Sequence, residues 1–64
     1  MKKLVYVYSN GEEKTHTKYI SNKTIKSEAR DSKKVEIYEC DEYQLEQRLN
    51  GVSAGKYITT IAIQ

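Results

Sequence analysis

Five consecutive strand formers, Leu4-Val5-Tyr6-Val7-Tyr8, run into Asn10-Gly11, and this junction constrains the fold more than any other stretch of the chain. Branched and aromatic side chains suit a pleated, half-buried surface, and Asn-Gly is the strongest short-range hairpin signal. The return strand is then residues 14–20, rich in Thr and closed by Tyr19 and Ile20. A loop of two or four residues keeps one parity, which puts Leu4, Tyr6 and Tyr8 on a face with Thr15, Thr17 and Tyr19. Val5, Val7, Lys14, His16, Lys18 and Ile20 form the other face, and either one could point inward.

Further along, residues 34–40 alternate, with Val35 and Ile37 on one side and Glu36, Tyr38 and Cys40 on the other, which predicts a strand. A helix over about residues 41–50 follows. Asp41 can cap it while Gln44 reaches back, Cys40 and Leu45 stand at staple positions, and Leu45 and Leu49 stack at i, i+4. Acids crowd its first turn, Arg48 sits in its last, and Asn50-Gly51 supplies a left-handed stop. Residues 57–63 read as a final strand. Residues 21–34 are the least legible, because Ile25 and Ala29 are their only apolar members; a short polar helix and an ordered loop fit equally.

These elements predict an α+β fold: a small, mostly antiparallel sheet of about four strands with one helix, near residues 41–50, packed on one face. The expected core is Val5, Val7, Val35, Ile37, Leu45, Leu49 and Ile61, with Leu4 and the tyrosines as the competing face. A chain of 64 residues makes one domain, near the size at which a single core can still hold a fold. Its lone cysteine, Cys40, forms no internal disulfide, so packing has to suffice, and a reducing, cytoplasmic setting is expected. The apolar run after Met1-Lys2-Lys3 is too short for a signal peptide, and no stretch approaches the roughly 20 apolar residues of a membrane span.

Catalytic and cofactor chemistry find little to work with. One His and one Cys, His16 and Cys40, do not close a four-ligand zinc site, and far apart in sequence they make a poor nucleophile and base pair. Cys40 is better read as a small buried hydrophobe. Residues 51–56 look like a phosphate loop but have three residues between the glycines instead of four, and Tyr57 where Ser or Thr should be. No enzyme activity, metal or cofactor is expected.

Charge, in contrast, is sorted by position. Residues 14–34 carry seven basic residues against Glu28 and Asp31, a net of +5, while residues 35–50 carry five acids against Arg48, a net of −4. Adjacent opposite fields steer association and set orientation. Part of the acidic block suits a helix start, and lysines along an edge strand would discourage aggregation. Lys18, Lys23, Lys26 and Arg30 lack such a local reason. All six aromatics are tyrosines, and Tyr6, Tyr8 and Tyr19 on an open sheet face would supply rigid contact area.

The first expectation is therefore a non-enzymatic protein-binding module, an inhibitor or adaptor docking through Tyr6, Tyr8, Lys18, Tyr19, Lys23, Lys26 and Arg30. Its Lys, Ile, Tyr and Asn bias suggests an AT-rich genome, and a short, motif-free, single-domain chain is of the kind that phages and mobile elements often encode as accessory proteins. Nucleic acid is the second candidate partner, with residues 14–34 on phosphates and tyrosines stacking bases, although the aromatic signature of an RRM is absent. A homodimer is the third, because the two charge blocks complement each other between copies. No membrane partner is expected.

Overall fold

The computed structural model describes residues 1–63. Strand β1 (Lys3–Tyr8) pairs antiparallel with β2 (Glu13–His16) and with β3 (Lys34–Cys40), and β3 pairs antiparallel with β4 (Lys56–Ala62). The sheet order is β2-β1-β3-β4, so β2 and β4 are its edges. Helix α1 (Asn22–Ala29) links β2 to β3, and helix α2 (Glu42–Leu49) links β3 to β4. The expected α+β architecture holds, with two helices in place of one.

The hairpin forms where expected, but its loop has three residues. The Tyr8 amide donates to Glu12 O at 2.8 Å and the Gly11 amide to Tyr8 O at 2.9 Å, leaving residues 9–11 to turn the chain, with Gly11 at φ 96. An odd loop reverses the parity expected from two or four residues. Tyr6 therefore lies opposite Lys14 and Leu4 opposite His16, and Thr15 shares the face of Val5. Strand β2 also ends at His16, earlier than the expected residue 20.

Both faces of β1 are covered, which resolves the choice between them. Leu4, Tyr6 and Tyr8 pack with Val35 and Ile37 beneath Ile25 and Ala29 of α1, and this cluster is the main core. Ile20, Ile58, Ile61 and Ile63 line its border. Val5 is buried on the opposite face, where Arg48 of α2 lies over the Tyr38 ring at 5.1 Å. Of the expected core, Val5, Val35 and Ile37 are buried, Val7, Leu45 and Ile61 are half-buried, and Leu49 is 88% exposed. The well-signalled helix is thus the looser one, since its caps are local chemistry and say nothing about the apolar surface beneath it. That surface is larger on the tyrosine face, where α1 sits.

Helix α1 forms on a thin stripe because nonlocal contacts reinforce it. Ser21 caps it, its Oγ accepting from the Thr24 amide at 3.3 Å, and Arg30 ends it at φ 56. Glu28 accepts from the Tyr8 hydroxyl at 2.8 Å and lies 3.0 Å from His16 Nε2, joining the helix to β1 and β2. The hairpin loop latches the following turn. Ser32 Oγ accepts from the Asn10 amide at 3.1 Å, and Ser9 Oγ from the Lys33 amide at 2.9 Å.

Helix α2 follows its sequence signals closely. The Gln44 amide donates to Asp41 Oδ1 at 2.8 Å and the Asp41 amide to Gln44 Oε1 at 3.0 Å, a complete capping box. At its other end the Val52 amide reaches Gln47 O at 2.9 Å and the Gly51 amide Arg48 O at 3.1 Å, with Gly51 at φ 86. These two bonds form a Schellman stop.

Candidate functional site

The residues expected to form one docking face separate into three places. Tyr6 and Tyr8 are 0% and 1% exposed, so the expectation of an open tyrosine face is corrected: α1 covers those rings. Their hydroxyls are used internally. Tyr6 Oη accepts from the Ile20 amide at 3.1 Å, and its ring meets His16 edge-on at 5.3 Å. Burial, and then the Glu28 carboxylate that takes its hydrogen bond, hold the Tyr8 phenol well above the usual tyrosine range.

Lys18 and Tyr19 lie in the exposed link after β2, beside Lys2, Lys3, Leu4, Thr17 and Glu39. That hollow is apart from the helix. Lys26 and Arg30 are brought together with Lys33 around one hollow, whereas Lys23 is exposed on α1 and lines neither hollow beside β4. The buried pair Ile25 and Ala29 points down, Glu28 turns toward β2, and Lys26 stands on the flank above β4.

Between that flank and β4 runs a cleft that sequence reasoning missed. Its upper part, a hollow of about 210 Å³, is lined by Asn22, Ile25, Lys26, Ile61, Ala62 and Ile63. The lower part adds Arg30 and Lys33 at the rim and Asp31 at the end. Asp31 Oδ1 accepts from Asn10 Nδ2 at 3.3 Å. Among the described residues Lys26, Arg30 and Lys33 have no ion-pair partner. The floor is apolar, and the rim sets three cations, Lys26, Arg30 and Lys33, against the one carboxylate of Asp31.

Strand β4 forms the open wall of this cleft. The Ile63 amide donates to Lys33 O at 2.8 Å, and in an antiparallel ladder this phase turns residues 59, 61 and 63 toward β3. Thr60 and Ala62 therefore point their backbone groups away from the sheet. Edge strands are usually kept short, charged or interrupted by proline. β2 follows that habit with four residues including Glu13 and Lys14, whereas β4 has seven with Lys56 as its only charge. The signal was present in the sequence as an uncharged run, but its significance depends on β4 being an edge.

The opposite face of the sheet carries both signs, with Lys3 and Lys34 sharing it with Glu36. Glu36 lies on it beside Tyr38, whose hydroxyl donates to Glu36 Oε1 at 3.1 Å, and Glu42 and Glu46 are exposed on α2. Arg48 is already committed. Its Nε and Nη2 bind Glu13 at 3.1 and 3.0 Å and its Nη1 binds Ala54 O at 2.6 Å, and the Glu13 bonds raise its already high pKa. Strand alternation therefore puts members of both blocks on each face, Lys34 beside Glu36 here and Glu39 opposite Leu4 on the α1 side.

Cys40 and His16 project from opposite faces, since they stand opposite Lys3 and Leu4, neighbours on one strand. The thiol is buried against Gly55, and burial pushes its pKa up, away from thiolate character. Its surroundings are those of a packed residue.

No known protein family, curated protein or solved structure matches this chain.

Proposed function

We propose that this chain is a non-catalytic protein-binding module, an inhibitor or adaptor that acts by docking on a partner protein. The observation that carries the proposal is the seven-residue edge strand β4, uncharged beyond Lys56, standing beside a cleft with an isoleucine floor and a mainly basic rim. Such an edge invites another chain, and solvent alone leaves its amides and carbonyls as a liability. The opposite placement of Cys40 and His16 supports the non-catalytic part of the proposal. A buried free thiol fits a reducing, cytoplasmic setting, and a short, motif-free chain with this amino-acid bias supports a phage or mobile-element source.

The nucleic-acid alternative draws on Lys23, Lys26 and Arg30 but loses its stacking platform, because Tyr6 and Tyr8 are buried. Affinity capture from source-cell extract, run with nuclease and with an Ile61→Lys control whose fold is verified by circular dichroism, separates the two. Protein binding predicts a nuclease-resistant partner, retained by the native chain and lost by the control. A saturable oligonucleotide complex that weakens log-linearly with salt, with no retained protein, would overturn the proposal.

A further inference from the structure

Resting on the protein-binding reading, we infer that the occupant of the α1–β4 cleft is an extended acidic segment of the partner, added to the sheet as a fifth strand along β4. The backbone supplies the first half of the recognition. Thr60 and Ala62 turn their N–H and C=O groups outward, at the two-residue interval that an added strand requires. Side chains supply the second half. Every other residue of the added strand would project toward α1, over Ile61 and Ile63 and up to the rim of Lys26, Arg30 and Lys33. Glutamate at those positions has the length to lay its methylenes on the isoleucines and its carboxylate among the cations.

Charge also decides against the nearest competing occupant. A second copy pairing β4 with β4 in antiparallel fashion has its dyad normal to the sheet, which puts both α1 helices on the same side. Lys26, Arg30 and Lys33 of one copy would then face the same residues of the other across a desolvated seam, and like charges so placed repel. The free edge at the other end of the sheet, β2, has four residues and carries Lys14 on the α1 side. Its other face offers only Glu13, which Arg48 already holds.

The test uses the whole chain, amide-resolved NMR and a synthetic ten-residue peptide of alternating Glu and Val, with its Lys and Val counterpart and a nonalternating isomer as controls. The Glu peptide is expected to shift and protect the Thr60 and Ala62 amides, and the Lys peptide to leave them unchanged. Thr60→Pro removes one outward donor without touching the β3 ladder and should abolish that protection. Lys26→Glu should weaken Glu-peptide binding about threefold, as expected for an exposed ion pair, and more at low salt.

Equal binding of the Lys peptide, or protection confined to β2 or α2, would overturn the inference. So would β4 protection that grows with protein concentration in the absence of peptide, which would identify a second copy. A native partner retained by the Thr60→Pro variant would overturn the inference and leave the protein-binding reading standing. Failure of that reading has its own signature, an oligonucleotide complex with no captured protein.

Discussion

Gly55→Ala is the substitution whose effect the structure specifies most sharply. Gly55 has φ 116, a region that L side chains avoid, and a Cβ built there would lie 2.5 Å from Cys40 Sγ and 3.3 Å from Glu39 O. The backbone part is about 1–3 kcal/mol for a residue held in such a conformation. The overlap part is about 1–3 kcal/mol, because the sulfur is buried and the carbonyl belongs to a paired strand. Together they come to about 4 kcal/mol, against a total of roughly 3–10 kcal/mol for a chain of this size. Melting should fall by about 15–30 °C. Urea titration of Gly55→Ala, Cys40→Ala and the double variant separates the parts. Cys40→Ala alone should lose about 1–2 kcal/mol of packing but make Gly55→Ala cheaper by at least about 1 kcal/mol, since the sulfur is gone and the strained φ remains. An identical Gly55→Ala effect in both backgrounds would refute the clash, and an effect below about 0.5 kcal/mol would refute both parts.

Four further outcomes follow from contacts elsewhere in the fold. Leu49→Gln should change stability by less than about 0.5 kcal/mol in the same titration, because that leucine is 88% exposed, whereas Asp41→Ala should cost about 1 kcal/mol through the lost capping box. Tyr6→Ala or Tyr8→Ala should cost about 3–5 kcal/mol each, so near-ultraviolet circular dichroism should report a failed fold before any binding assay reports a lost partner. The Tyr8 phenol has its pKa raised in the folded state, so its stabilisation is fully present below the ordinary tyrosine value of 10.0 and is lost as pH rises from there toward the folded value. Tyr8→Phe should flatten that alkaline loss in a pH series of melting temperatures, and an unchanged slope would contradict the burial and Glu28 bond as its cause.

Elements whose signals are local were legible before any coordinates. The Asp41 and Gln44 capping box, the Gly51 stop, the strand through Val35 and Ile37 and the Asn10-Gly11 turn all form where the residues place them. Each involves groups within a few residues of one another, and side-chain type determines their geometry. Of the candidate site only Lys26 and Arg30 were legible, as members of the basic block, because the β4 wall beside them depends on contacts distant in sequence.

Tertiary structure decided the rest. One extra loop residue reversed the partners of Leu4, Tyr6 and Tyr8, since a strand's two faces differ by a single step. The helix with the weaker sequence signal covers the main core, because its Ile25 and Ala29 meet two tyrosines and its Glu28 is held by Tyr8 and His16, residues distant along the chain. The openness of β4 is likewise a property of strand order. A run such as Tyr57 to Ile63 looks the same in sequence whether it sits inside a sheet or at its margin, and only the arrangement β2-β1-β3-β4 leaves Thr60 and Ala62 with free backbone groups beside a row of cations.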